Sequence, residues 1–68
     1  MTCYKVTCIF APDWRILFKA IFGNDAVHCY SEETPNVSLY HFEGQVVPND
    51  MGPLVIIEAV DPSHSILK

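Results

Sequence analysis

Apolar and polar side chains alternate from Thr2 to Phe10, with Tyr4, Val6, Cys8 and Phe10 on one side and Cys3, Lys5, Thr7 and Ile9 on the other. A period of two over this length predicts a strand, and the more apolar Tyr4 set is its expected core face. Pro12 then suits the first position of a helix, where its missing N–H costs nothing, and Asp13 puts a negative charge in the first turn. The period lengthens from there. Trp14, Leu17, Phe18 and Ile21 recur at i, i+3, i+4 and i+7, which predicts an amphipathic helix with that stripe against a sheet. Ile16 falls almost opposite the stripe, between Arg15 and Lys19, and Phe22 falls at its margin. Gly23-Asn24 supplies residues that tolerate a left-handed stop, so the helix is expected to end at Phe22.

Ala26 to Ser31 reads as a second strand and Glu32 to Asn36 as the turn after it. Val37 to Val47 reads as a third strand, bent at Gly44. Pro48 to Pro53 is a dense turn signal. Leu54 to Val60 is apolar on both faces apart from Glu58, the pattern of a central strand with neighbours on both edges. The predicted order is β-α-β-β-β, an α+β domain with one helix packed on one face of a four-stranded, mostly antiparallel sheet. Residues 1–61 form the domain and 62–68 a C-terminal tail, in which Ile66 and Leu67 are free to tuck against the sheet or a second subunit. The other sheet face has no helix to cover it. Val27, Cys29, Leu39, His41, Val55 and Ile57 divide between the two faces, and the set that misses the helix is expected to be exposed or dimeric.

Length and composition narrow the picture. A chain of 68 residues allows one core. A domain this small buries only about 60% of the surface that its unfolded chain exposes, so its stability is expected to be marginal. Half of the residues are hydrophobic and 18% are charged, which excludes intrinsic disorder. That apolar half exceeds what one small sheet-and-helix layer hides, so an oligomer or partner interface is expected. Three cysteines, Cys3, Cys8 and Cys29, leave at least one thiol unpaired in a monomer. Neither a secretory signal pattern nor an apolar run near the roughly 20 residues needed to span a bilayer is present. The expectation is a cytoplasmic protein with no membrane partner.

Charge is distributed unevenly. The first 19 residues carry +2, residues 20–67 carry −7 with no Lys or Arg, and Lys68 closes the net charge at −4. An acidic chain lacks the cations that displace counterions from a phosphate backbone, so direct nucleic-acid binding is not expected. If the first two strands run parallel through the helix and the last three form a meander, Asp13, Glu32, Glu33, Glu58 and Asp61 gather at one end of the sheet. Asp25 and Asp50 go to the other. Such an acidic end steers association toward a basic surface, with Tyr30 beside it as an aromatic anchor. Arg15, Ile16 and Lys19 form a secondary apolar and basic patch on the outer helix face.

The chemistry-bearing residues are sparse. Cys3, Cys8, Cys29, His28, His41 and His64 are potential zinc ligands, but Cys3 and Cys8 point to opposite faces of one strand, as do His28 and Cys29, and no C-x-x-C or H-x-x-x-H pair exists. No metal or other cofactor is expected. Cys29 and His41 on neighbouring strands are a conceivable nucleophile and base, yet nothing supplies an oxyanion pocket or an activating cation. Gly23, Gly44 and Gly52 form no phosphate-binding pattern. The reading is therefore not an enzyme.

In size, acidity and absence of enzyme motifs the chain resembles small phage-encoded inhibitors such as the anti-CRISPR proteins. The resemblance is one of profile, with no residue pattern to carry positions over. It implies a non-catalytic inhibitor or adaptor whose acidic surface occupies a basic, nucleic-acid-binding groove of a larger protein. The alternative expectation is a dimeric small-ligand-binding or regulatory α+β domain that pairs through its uncovered sheet face.

Overall fold

The computed structural model describes residues 2–10, 12–24, 29–61 and 63, with Cys29 and Tyr30 described for their backbone alone. Strand β1 is Thr2–Cys8, helix α1 is Trp14–Phe22, and strands β2, β3 and β4 are Cys29–Glu33, Val37–Phe42 and Val55–Val60. Among the described residues this is the α+β architecture with one helix and four strands that the periodicities predict. The expected second strand from Ala26 lies outside the described residues as far as position 28, and the tail beyond Asp61 does so except for Ser63.

Asp13, rather than Pro12, sets the helix start. Its backbone is extended, and its carboxylate accepts a hydrogen bond from the N–H of Arg15, occupying a donor that the first turn leaves without an intrahelical partner. At the other end Gly23 adopts φ +58°, a left-handed conformation that costs a glycine little, and its N–H returns to the carbonyl of Lys19.

The sheet order is β2-β3-β1-β4, and all three pairings are antiparallel. This corrects the expected meander. The last strand pairs with β1 instead of β3, so it is an edge strand and not a central one. The connection explains why: residues 43–54 separate Phe42 from Val55, far longer than the two to five residues of a hairpin loop. That length lets the chain cross over β1 and insert on its far side. On the way the Tyr4 hydroxyl donates to the carbonyl of Val46 at 2.7 Å, and the N–H of Asn49 donates to the carbonyl of Ile21 at 2.8 Å. The third strand accordingly stops at Phe42 rather than at Val47, and β2 continues through Glu33 where a turn was expected.

Beneath the helix, Val6, Cys8, Trp14, Ile21, Phe22, Tyr40 and Phe42 form the buried core, with Leu17, Phe18, Val55 and Ile57 packed against it. The predicted stripe does face the sheet. Phe22, expected at the margin, is central: its ring lies 5.2 Å from Tyr40 and 4.8 Å from Phe42, and Phe18 stacks on Tyr40 at 4.6 Å. Aromatic pairs at such separations add to what area burial contributes. Phe10, assigned to the core by alternation, lies past the end of the strand and is exposed.

Candidate functional site

The strand order decides which carboxylates meet. β1 and β2 run in one direction and β3 and β4 in the other. The end where β1 finishes therefore holds Glu32 and Glu33 of β2. Asp13 joins them, because the Trp14 indole donates to the carbonyl of Thr34 and ties the start of α1 to the turn after β2. Glu58 sits in mid-strand opposite Lys5, and Asp61 follows Val60 at the other end. The five carboxylates are thus not gathered. Since β4 is reversed relative to the meander, Glu58 and Asp61 leave the group.

Two of the remaining three are engaged within the chain. The guanidinium of Arg15 lies 3.4 Å from the carboxylate of Asp13 and holds its pKa below the usual value. Glu32 is buried, with its Oε2 3.1 Å from Nε2 of His41. Glu33 is exposed. Tyr30 stands in register with His41, and its side chain lies outside the described residues. Arg15, Ile16 and Lys19 are exposed together on the outer face of α1, as the helical wheel predicts.

On the face away from the helix, Cys3, Glu32 and His41 come together. The register places Cys3 directly opposite His41 and Tyr30, not Cys29, on the other side of it. The Sγ of Cys3 lies 3.9 Å from Nε2 of His41, the same nitrogen that meets Glu32. A thiol–imidazole–carboxylate relay needs the carboxylate on one ring nitrogen and the thiol on the other. Here both converge on one. Burial, together with the negative charges of Glu32 and Asp61, also pushes the Cys3 thiol above its ordinary pKa and keeps it protonated, the reverse of what a nucleophilic cysteine requires. No set of three or more His, Cys, Asp and Glu side chains among the described residues is placed to hold a metal ion.

The same face is not an open apolar surface. Leu39 and Cys3 lie on it, yet they are 0% and 1% exposed. The expected exposed or dimeric sheet face is therefore absent at its centre. A cavity of about 360 Å³ opens on the helix side, lined by Tyr4, Pro48, Asn49, Asp50, Val55 and Ile57. Each of its polar side chains makes a hydrogen bond within the chain: Tyr4 to the carbonyl of Val46, Asn49 to the carbonyl of Ala20, and Asp50 from the N–H of Gly52.

Among the described residues six large hydrophobic side chains are exposed; Ile16 lies on the outer helix face, Val47 in the connection before β4, and the other four lie together. Ile9 is 72% exposed, Phe10 59%, Leu54 59% and Ile56 54%. Ile9 and Phe10 follow β1, Leu54 precedes β4, and Ile56 stands opposite Thr7, so all four belong to the end where β1 finishes and β4 begins. Sequence periodicity missed this group. The available signals were Ile9-Phe10 running on past the strand and Leu54 following Pro53, but only the β1–β4 pairing makes them neighbours.

No helix among the described residues is long and apolar enough to cross a membrane. Compared with protein-family models, curated proteins and solved structures, the chain matches none.

Proposed function

We propose that this chain is a non-catalytic protein-binding inhibitor or adaptor that docks through the apolar end formed by Ile9, Phe10, Leu54 and Ile56. The observation that carries the reading is the exposure of these four large side chains, each more than half accessible, at one end of a small sheet. Contiguous exposed apolar groups rimmed by polar ones mark interaction surfaces. Exposed Glu33 lies at the same end and Glu58 on the same strand as Ile56. With a net charge of −4 and no Lys or Arg from residue 20 to residue 67, the favoured partner has a basic rim around an apolar contact. A nucleic-acid-binding groove on a larger protein is the class that meets this description, and an anti-CRISPR-like inhibitor is the corresponding role.

The test is affinity capture with three baits at low and high salt: the native chain, Ile9→Glu with Leu54→Glu, and Glu33→Lys with Glu58→Lys. Glu32 is left intact because it is buried. Loss of the captured partner with the apolar variant, and weaker salt-sensitive capture with the charge variant, fits the proposal. Capture unchanged in both variants sinks it.

A dimeric regulatory domain is the second reading. It draws support not from the sheet face, whose centre is already buried, but from the outer edge of β4.

A further inference from the structure

The two edges of the sheet differ. β2 forms one edge and carries Glu32 and Glu33 within five residues and no cation. β4 forms the other, with the sequence Val-Ile-Ile-Glu-Ala-Val. Among the described residues it has no neighbour on its outer side. An edge strand presents unpaired N–H and C=O groups, and proteins commonly guard such edges with Lys, Pro or a bulge. β4 has none of the three. Its single charge, Glu58, stands across from Lys5 of β1.

We infer that the outer edge of β4 pairs antiparallel with β4 of a second copy of this chain. The inference rests on the dimeric reading, adds the surface and the register, and, because the seam uses Leu54 and Ile56, stands in place of the docking surface proposed above for a larger partner. Among the ways two copies can join their edges, charge selects this one. Joining β4 to the β2 edge of another copy brings Glu58 into one seam with Glu32 and Glu33, and joining two β2 edges brings four carboxylates together. The β4–β4 seam carries one carboxylate per copy, each with a lysine on its inner side. It also closes by a two-fold axis instead of growing into a filament.

Register follows from the pleat. Residues opposite each other must lie on the same face of the joint sheet, so the axis passes through a residue. At Glu58 it sets two carboxylates directly opposite, which is destabilising, and at Ile57 it leaves them diagonal at about 7–8 Å. At Ile56 it separates them by four residues, roughly 13 Å along the strands. It then pairs Ile56 with Ile56, Val55 with Ile57, and Leu54 with Glu58. The half-exposed Ile56 side chains cover each other, and the result is a continuous sheet of twice four strands with both helices on one face.

The experiment is sedimentation equilibrium of the full chain over a wide concentration range, paired with cysteine trapping. The expected mass rises from 7.7 kDa to twice that value, and Ile56→Lys stays monomeric at every concentration with an unchanged far-UV circular dichroism spectrum. Under mild oxidation Ile56→Cys gives a disulfide-linked dimer beyond the native background, and Glu58→Cys does not. A native chain that stays monomeric throughout overturns the dimeric reading and this inference together. A dimer that survives Ile56→Lys, or that traps at Glu58→Cys and not at Ile56→Cys, overturns the β4 seam alone. A strand of another protein found on β4 of a monomeric chain also overturns it.

Discussion

His41 and Glu32 meet on the sheet face away from the helix, imidazole Nε2 to carboxylate Oε2 at 3.1 Å, with side chains only 11% and 9% exposed. A buried pair of this kind is costly to break from one side and cheap to replace as a whole, because removing one partner leaves the other desolvated. Glu32→Leu alone is expected to cost about 1.5–3 kcal/mol, the range for a hydrogen bond to a charged group. Glu32→Leu with His41→Leu should recover most of that loss. Urea denaturation of the two single variants and the double variant measures the coupling. Strictly additive losses would show that the pair is not an energetic unit.

Cys3 gives a prediction on the alkaline side. Its thiol pKa is raised in the folded chain, first by burial and then by Glu32 and Asp61. The folded state therefore holds the proton more tightly than the unfolded state. The stability it contributes is fully present below the ordinary thiol value of 9.0 and is lost as pH rises through the folded value. Between the ordinary and the folded value the native chain should lose stability with pH more steeply than Cys3→Ala does. In a Cys29→Ser background, the buried Cys3 and Cys8 thiols should react slowly with a disulfide reagent at neutral pH and at full speed after unfolding. Rapid reaction of both in the folded chain would contradict the burial.

Asp13 gives the acid-side counterpart. The hydrogen bond from Arg15 is the main cause that lowers its pKa, and the N–H of Arg15 adds to it. The folded state favours the carboxylate, so the cap's contribution is present above the ordinary carboxylate value and is lost as pH falls through the lower folded one. Asp13→Ala should reduce helicity and Tm at neutral pH, and the difference from the native chain should vanish in acid. Asp13→Asn, which keeps a capping oxygen, should restore helicity at neutral pH without the acid dependence. Circular dichroism melts across pH follow both variants.

Ile21 and Ile16 belong to one helix and have opposite fates. Ile21 is fully buried and Ile16 is exposed. Ile21→Ala should cost about 2–5 kcal/mol as a cavity-forming core truncation, a large share of the total in a small domain whose stability starts near 5 kcal/mol. Ile16→Ala should stay within about 0.5 kcal/mol of the native chain. Thermal or urea melts compare the two, and equal losses would place the helix on the wrong face.

Local periodicity was enough to read the elements themselves. The alternation of Thr2 to Cys8, the Trp14-Leu17-Phe18-Ile21 stripe, the stop at Gly23 and the β-branched run at Val55 to Val60 are short-range patterns, set by which way successive side chains point. Each survives in the structure as a strand or a helix; the helix stripe and the Tyr4-Val6-Cys8 side of β1 face inward as expected, whereas β4, read as buried on both faces, is an edge strand with only Val55 and Ile57 packed on the core. Strand neighbours are another matter, because no short-range signal states what residues 43–54 pass over. An apolar run such as Leu54 to Val60 fits a central strand and an uncovered edge equally well, since hydrophobicity records burial or its lack without saying which.

The chain order alone thus determined an α+β fold, the helix face and the early placement of every cation but the last. Tertiary structure decided what those features meet. Passing β4 to the far side of β1 reversed its direction, which removed Glu58 and Asp61 from the acidic end. It also brought Leu54 and Ile56 to Ile9 and Phe10, while the β1–β3 pairing and the β2–β3 register put Cys3 rather than Cys29 beside His41. The physical reason is that the entropy of closing a loop rises only slowly with its length. A twelve-residue connection therefore leaves the choice of neighbour to side-chain packing across the whole sheet.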